Sequence, residues 1–213
     1  MGRDIGLGLP SVGDLIGRYT EGERSFRGEN WRGVFYANVE LANADLSGAN
    51  LAFANLSNAN LIGVILDQAD LSGTDVQGAN LIGASLIGAR LIATRMSHAK
   101  MLAADLSNAN MSSGNLSGAS LVCAVLIGSK LMGVDASHTD FAGSDLTNVD
   151  LRSANLQYAC FTDTNLKNVN LNKANLAEAD FSGAINLTPE QVISAVNWKL
   201  AKYHENFRQL LPA

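Results

Sequence analysis

The chain has 213 residues, 47% of them hydrophobic and 6% aromatic, with a formal net charge of −5. That is enough apolar material for one long core, and no direct binding to nucleic acid is expected of it. No stretch reaches the roughly 18 apolar residues of a membrane-spanning helix, and the opening MGRDIGLGLP is too short and too polar for the apolar part of a signal peptide. Gly6 stands where an N-terminal acylation signal needs Ser or Thr, so the expected location is the cytoplasm.

Residues 1–25 read as an N-terminal capping segment. In SVGDLIGRYTEGERSF, Ser11 with Asp14 resembles a capping box, Leu15, Ile16 and Tyr19 form one apolar face, and Gly22 ends the helix.

From Phe26 to Phe181 every fifth residue is a centre, 32 positions in one unbroken register and almost all Leu, Phe or Met. In ANADLSGANLAFANLSNANL the centres are Leu46, Leu51, Leu56 and Leu61, and Ala44, Ala49, Ala54 and Ala59 lie two residues before them. Between Val34 and Ala184 that earlier position holds only Ala, Val, Thr, Ser or Gly. Neither a 3.6-residue nor a 2-residue period fits, and a fixed short repeat marks a repeat architecture. Two obligate inward positions in five give one short extended side and one corner, so the chain winds around an axis as an all-β solenoid.

These residues resemble the pentapeptide repeat family, whose motif runs small residue, Asp or Asn, Leu or Phe, small polar residue, then often Gly. The match covers 26–184. It implies a right-handed quadrilateral β-helix with four pentapeptides per coil and about eight coils, stacked to ~38 Å at the usual ~4.8 Å between strands. Taking every twentieth residue gives four interior columns. One of them ends in Phe141, Phe161 and Phe181, and another holds Ala136, a truncated centre whose coil either holds a cavity or is filled by Val134 and Phe141. A column of Leu and Ala packed to interior density leaves no room for a ligand or a catalytic group.

Residues 185–213 read as a C-terminal helical cap. Thr188-Pro189-Glu190-Gln191 is a capping box with Pro at the first helical position, Val192, Ile193, Ala195, Val196 and Trp198 follow, and Trp198 is expected over Phe181. Tyr203, Phe207, Leu210 and Leu211 predict another helix or a folded-back tail. The flanks Tyr19-x-x-Gly22-Glu23-Arg24-x-Phe26 and Asn197-Trp198-x-x-Ala201-x-Tyr203 look like those of cyanobacterial members of the family. Solenoid ends need covers. A contact between two copies is the alternative role for this segment, which leaves monomer and dimer both open.

No residue set reads as catalytic, cofactor-binding or metal-binding. His98 and His138 share a repeat position two coils apart with Gly118 between them, without a third ligand. Cys123 and Cys160 are also two coils apart, beyond the ~7 Å over which a disulfide closes, and read as free thiols. The recurrent Asp and Asn before the centres suit hydrogen bonds to nearby backbone.

Function is therefore sought on the outside, where charge is banded along the axis. Residues 34–82 hold five acids and no base, 83–133 four bases and one acid, and 134–181 seven acids and three bases. In the basic band Arg90, Arg95, Lys100 and Lys130 replace the usual Asp or Asn, and across the first two bands Ile62, Ile82, Leu102 and Val122 fall one coil apart as an outward ladder. Ile87 with Ile127 and Ile92 with Met132 add apolar rungs on other sides. The candidate partner-binding set is Ile62, Ile82, Leu102 and Val122 with Arg90, Arg95 and Lys100; the other reading is that β-branched residues suit the strands. Two function classes follow: a non-enzymatic protein–protein interaction scaffold, regulatory in kind, or, as the resemblance also implies, a mimic of duplex DNA that binds a type II topoisomerase and protects gyrase from quinolones. Mimicry needs a dense negative surface, and the basic band favours the scaffold.

Overall fold

The computed structural model describes residues 12–212, with side chains from Leu15 onward. Ser11 of the expected capping box lies outside the described residues, and the Asp14 side chain outside the described side chains.

The five-residue unit closes the same way throughout. The carbonyl of each centre accepts the N–H three residues on, as Leu41 does from Ala44 at 3.1 Å, and the residue before that donor has positive φ, as in Asn43 at 58°. Positive φ at the third residue alone is the signature of a type II turn. Every fifth residue from Gly28 to Gly183 obeys it, with Asn, Ala, Ser, Tyr and Lys among those that adopt the left-handed backbone. Glycine is required more strictly where the coil below lays a side chain over the corner: a Cβ on Gly73 would lie 2.8 Å from the Phe53 ring.

Coil joins coil through parallel bridges at a constant offset of twenty residues, from Ser25 with Asp45 to Asn165 with Ile185. Four units therefore complete one turn, and each side contributes a repeated set of backbone bonds. Leu46 N–H donates to Ile65 O at 2.7 Å, Gly48 N–H to Asp67 O at 2.8 Å and Asp45 N–H to Arg24 O at 2.6 Å. The residue before the centre adds a short loop of its own: the Oδ1 atoms of Asn55, Asp70, Asp105 and Asp145 each accept the N–H two residues on, at 2.8–2.9 Å. This is the local Asx bond that the recurrent Asp and Asn led us to expect.

The centres and the small residues are buried as one core. Ala136 is fully enclosed. Phe141, Phe161 and Phe181 stack at 5.1 and 4.7 Å between centroids, nearly coplanar. Where Thr replaces Ala at the small position its hydroxyl donates to a centre's carbonyl one coil below, Thr74 to Leu51 O at 2.7 Å and Thr94 to Leu71 O at 2.8 Å. Ser129 is equally buried, and its Oγ finds no partner among the described residues.

At the N-terminal end helix α1, Val12–Thr20, lies against the first coil. Leu15 enters the core, and the Tyr19 hydroxyl donates to Ala42 O at 3.0 Å. Arg18 bonds both Glu23 and Glu29 and lies 5.0 Å from the Phe26 ring centre. At the other end helix α2, Pro189–Ile193, carries the expected capping box from Thr188 and Gln191. The segment does more than lie on the last coil. Val196 bridges to Asn175 and Lys202 to Asp180, so the offset grows to 21 and then 22 residues while the ladder continues. Ala195 and Ala201 occupy the small inward places, and Tyr203 rather than Trp198 stacks on Phe181, at 5.6 Å. A 3₁₀ turn, Trp198–Leu200, takes up the additional residues, and the short helix α3, Glu205–Arg208, sets Phe207 against Tyr203 at 5.5 Å. No helix among the described residues is long and apolar enough to cross a membrane.

Candidate interaction surface

The position after each centre faces outward, and on one side of the stack it holds Ile62, Ile82, Leu102 and Val122 in successive coils. Their carbonyls bind the neighbouring coil: Gly63 N–H donates to Ile82 O at 3.0 Å, Gly83 N–H to Leu102 O and Ala103 N–H to Val122 O, both at 2.9 Å. The four side chains thus form one continuous column. Ile62 is 38% exposed and Leu102 41%, while Ile82 and Val122 are half-buried against their neighbours.

Beside the column the corner is made of Gly63, Gly83, Ala103 and Cys123, all in the left-handed conformation. These small residues leave the apolar strip open on that flank. Around the corner the next side adds Ile65 and Ile127, both more than a third exposed, with Ile87 and Val125 half-buried on the same side. Ile65 and Val125 sit before a centre, and sequence reading missed them because it sought apolar residues only after the centres. The signal was available, since both stand where Asp or Asn is usual. Their N–H-accepting role is partly supplied from elsewhere: with Ser85 in that same column, Asp67 of the coil below accepts Ile87 N–H at 3.0 Å.

The basic residues of the candidate set separate. Lys100 lies on the ladder side, bridged to Asn80 and Ser120, with Leu102 two residues on. Arg95 is on the adjoining side and is paired with Asp75 at 2.7 Å. Arg90 belongs to the side opposite the ladder, where its Nε donates to Ser72 Oγ at 3.1 Å. The structure therefore brings the four apolar residues and Lys100 together and leaves Arg90 apart.

Among the described residues no group of three or more His, Cys, Asp or Glu is arranged to hold a metal. His138 stacks on Tyr158 at 4.8 Å, and the His98 ring lies over Gly118. Cys123 and Cys160 are free. The perturbed carboxyls are those of the turns. Burial acts to raise Asp145, but bonds from the Thr147 hydroxyl and N–H and from Asn165 hold it below the usual range, and Asp70 behaves alike beside Ser72, Arg90 and Arg32. Such groups are tuned by structural hydrogen bonds and are not poised for proton transfer.

A family model for pentapeptide repeats matches eight copies across residues 40–187. No functionally curated protein matches the chain. Among solved structures, HetL, a pentapeptide repeat protein involved in heterocyst differentiation regulation in the cyanobacterium Nostoc sp. strain PCC 7120, is 29% identical, with 86% of this chain and 93% of that one covered and a TM-score of 0.51. A trypsin-treated variant of QnrB1, a plasmid-mediated fluoroquinolone resistance protein, is 18% identical over 88% and 85% of the two chains, with a TM-score of 0.60, and shares the fold. The five-residue register, the twenty-residue coil and these matches agree that the chain belongs to the pentapeptide repeat family, for which they imply a right-handed quadrilateral β-helix.

Proposed function

We propose that this protein is a non-enzymatic, cytoplasmic interaction scaffold of regulatory kind, with residues 26–184 as the binding body and the segments 1–25 and 185–213 as covers for its ends. The observation that carries this reading is the column Ile62, Ile82, Leu102 and Val122, widened around a corner of small residues by Ile65 and Ile127. A core that is already complete gains little from large aliphatic side chains outside it, and contiguous exposed apolar surface in a monomer marks a place for a partner. Lys100 supplies a cation beside that strip. The regulatory cast comes from the likeness to HetL and carries no partner identity.

Capture from native lysate with the intact protein and with an Ile82→Asp, Leu102→Asp double variant tests the reading. The partner should be lost from the variant while its melting curve stays close to the parent's, since surface changes usually cost within ~0.5 kcal/mol. A destabilised variant that still captures the same partner would reduce the column to strand-favouring residues.

The second reading is a duplex mimic that binds gyrase. It draws on the acids that outnumber bases on three of the four sides, and an assay of gyrase supercoiling with and without quinolone decides it. No effect of the protein on supercoiling at concentrations that saturate scaffold binding removes that reading.

A further inference from the structure

Charge that looks banded along the sequence is sorted by side once the chain is wound. The side opposite the apolar column, built from residues 30–33, 50–53 and so on to 170–173, carries Arg32, Arg90, Lys130, Arg152 and Lys173 against only Asp70 and Asp150. On the other three sides taken together acids exceed bases by more than two to one. The five cations are all exposed.

Three of them, Arg90, Lys130 and Lys173, make no ion pair or ring contact among the described residues. Arg152 is engaged with Asp150 at 2.7 Å, and Arg32 lies 4.5 Å from the centre of the exposed Phe53 ring. Arg90 and Lys130 have no carboxylate within ion-pair distance among the described residues. They stand in one column, with Arg90 bridged to Asn110 and Asn110 to Lys130, so their backbones are about 10 Å apart. Each has given up a structural bond to be there. In the same column Asn50, Asp70, Asn110 and Asp150 accept the N–H two residues on at 2.9–3.2 Å, and neither Arg nor Lys can accept. In exchange Arg90 bonds Ser72 Oγ at 3.1 Å, and the charges of Arg90 and Lys130 favour the ionised Asp70 and Asp150, but neither replaces the lost turn bond. Apolar surface lies among the cations: Ile92 follows Arg90 by two residues, and Met132, 45% exposed, follows Lys130 by two.

We propose that this side is a second interaction surface, which takes an acidic protein segment bearing apolar side chains, with Arg90 and Lys130 meeting its carboxylates and Ile92 and Met132 its apolar groups. Opposite charge steers and orders such a contact. The distance from the coil of Arg90 to that of Lys130 is two rungs, about 10 Å, the length of a helix of about six residues. A polynucleotide fits less well. Asp70 and Asp150 interrupt the column where phosphates would need continuous cations, and Ile92 and Met132 have nothing to meet on a phosphate backbone. The surface is independent of the apolar column and faces the other way, so a scaffold using both would hold two different partners on opposite sides.

The test is fluorescence anisotropy with three labelled probes at low salt: a synthetic helical peptide of Glu with Leu at every fourth residue, the same peptide with Ser in place of Leu, and duplex DNA of similar length. The Leu peptide should bind, weaken with added salt, and bind at least about tenfold more weakly to an Arg90→Glu, Lys130→Glu variant. Met132→Ser should lower the affinity for the Leu peptide and leave the Ser peptide unchanged. Leu102→Asp should change neither, which separates this surface from the apolar column. Equal or tighter binding of the duplex or the Ser peptide, indifference to the charge reversal, or no binding of the Leu peptide would each overturn the proposal. Should the double reversal melt early, Arg90→Gln with Lys130→Gln repeats the comparison without new charge.

Discussion

The two ends of the stack are closed by different physics. At the N-terminal end the cover is made by side chains: Leu15 plugs the core, Tyr19 donates one hydroxyl bond, and Arg18 ties α1 to Glu23 and Glu29. Among the described residues no backbone pairs with the outer edge at Asn30, Phe35 or Glu40, and Phe35 is 78% exposed. At the C-terminal end the cover is made by backbone. Val196 and Lys202 extend the ladder, and Phe181 N–H donates to Lys202 O as the centres below donate to their coils. A helix hides apolar surface but leaves strand edges unsatisfied, whereas an in-register segment hides the surface and pairs the edge.

If that contrast holds, the largest effect will come from removing the C-terminal cover. Truncation after Ala184 strips Tyr203 from Phe181 and the backbone partners from the edge, and the protein should aggregate, because open edges template pairing. Scattering during purification and on heating reads this directly. A soluble truncation with unchanged melting and a smaller size in solution would show the segment to be a contact between copies.

Point changes at the two ends should be similar in size despite the different covers, because the fully buried Leu15 and the larger, half-buried Tyr203 each anchor one of them. Tyr203→Ala empties the place above Phe181 and below Phe207, and Leu15→Ala opens the first coil, each at about 2–4 kcal/mol. Thermal or urea melts measure both. A loss at Leu15 under about 1 kcal/mol would mean that α1 only rests on the stack.

A smaller effect belongs to Gln191. Its Nε2 donates to Leu166 O and Val169 O, both at 2.9 Å, while its Oε1 accepts Thr188 N–H at 2.7 Å. Val169 O lacks the next coil's N–H where α2 interrupts the register, and this side chain stands in for it. Gln191→Leu keeps the volume and should cost about 1–3 kcal/mol. A neutral result would assign those carbonyls to water.

How much of this was legible in the chain depends on whether a feature is written in the repeat. The inward columns, the phenylalanine stack, the Asx bonds and the Thr188 capping box all follow from residue type at fixed spacing, and the structure contains each of them. The exchange of Trp198 for Tyr203 above Phe181 was hidden, because the offset changes from 20 to 21 and 22 residues just where the motif stops. A register can be extrapolated only while its period holds. The apolar column was readable at Ile62, Ile82, Leu102 and Val122, and its extension to Ile65 and Val125 lay across a corner that only the wound chain brings together. Arg90 was placed with that column by proximity in sequence, yet ten residues here are half a turn.

The smallest expected difference between the ends is in acid. At the N-terminal end the Arg18 hydrogen bond holds the Glu23 carboxyl below its ordinary range. At the C-terminal end burial acts to raise Asp180, but the Ser182 hydroxyl and N–H, with the charge of Lys202, bring it below the usual value. In both cases the folded pKa is depressed, so the stabilisation is present in full above the unfolded pKa near 4 and is lost as pH falls through the folded value. Melting temperature should be level from pH 7 to about 5 and drop below about 4. Asp180→Asn should flatten part of that drop and leave stability at pH 7 nearly unchanged, since Asn accepts the same bond, as Asn55 does from Ser57 N–H at 2.9 Å. Glu23→Gln should flatten less, and only at low salt, because its pair with Arg18 is open to solvent and screened. Equal flattening by the two variants at high salt would show that the side-chain cover is as tightly built as the backbone one.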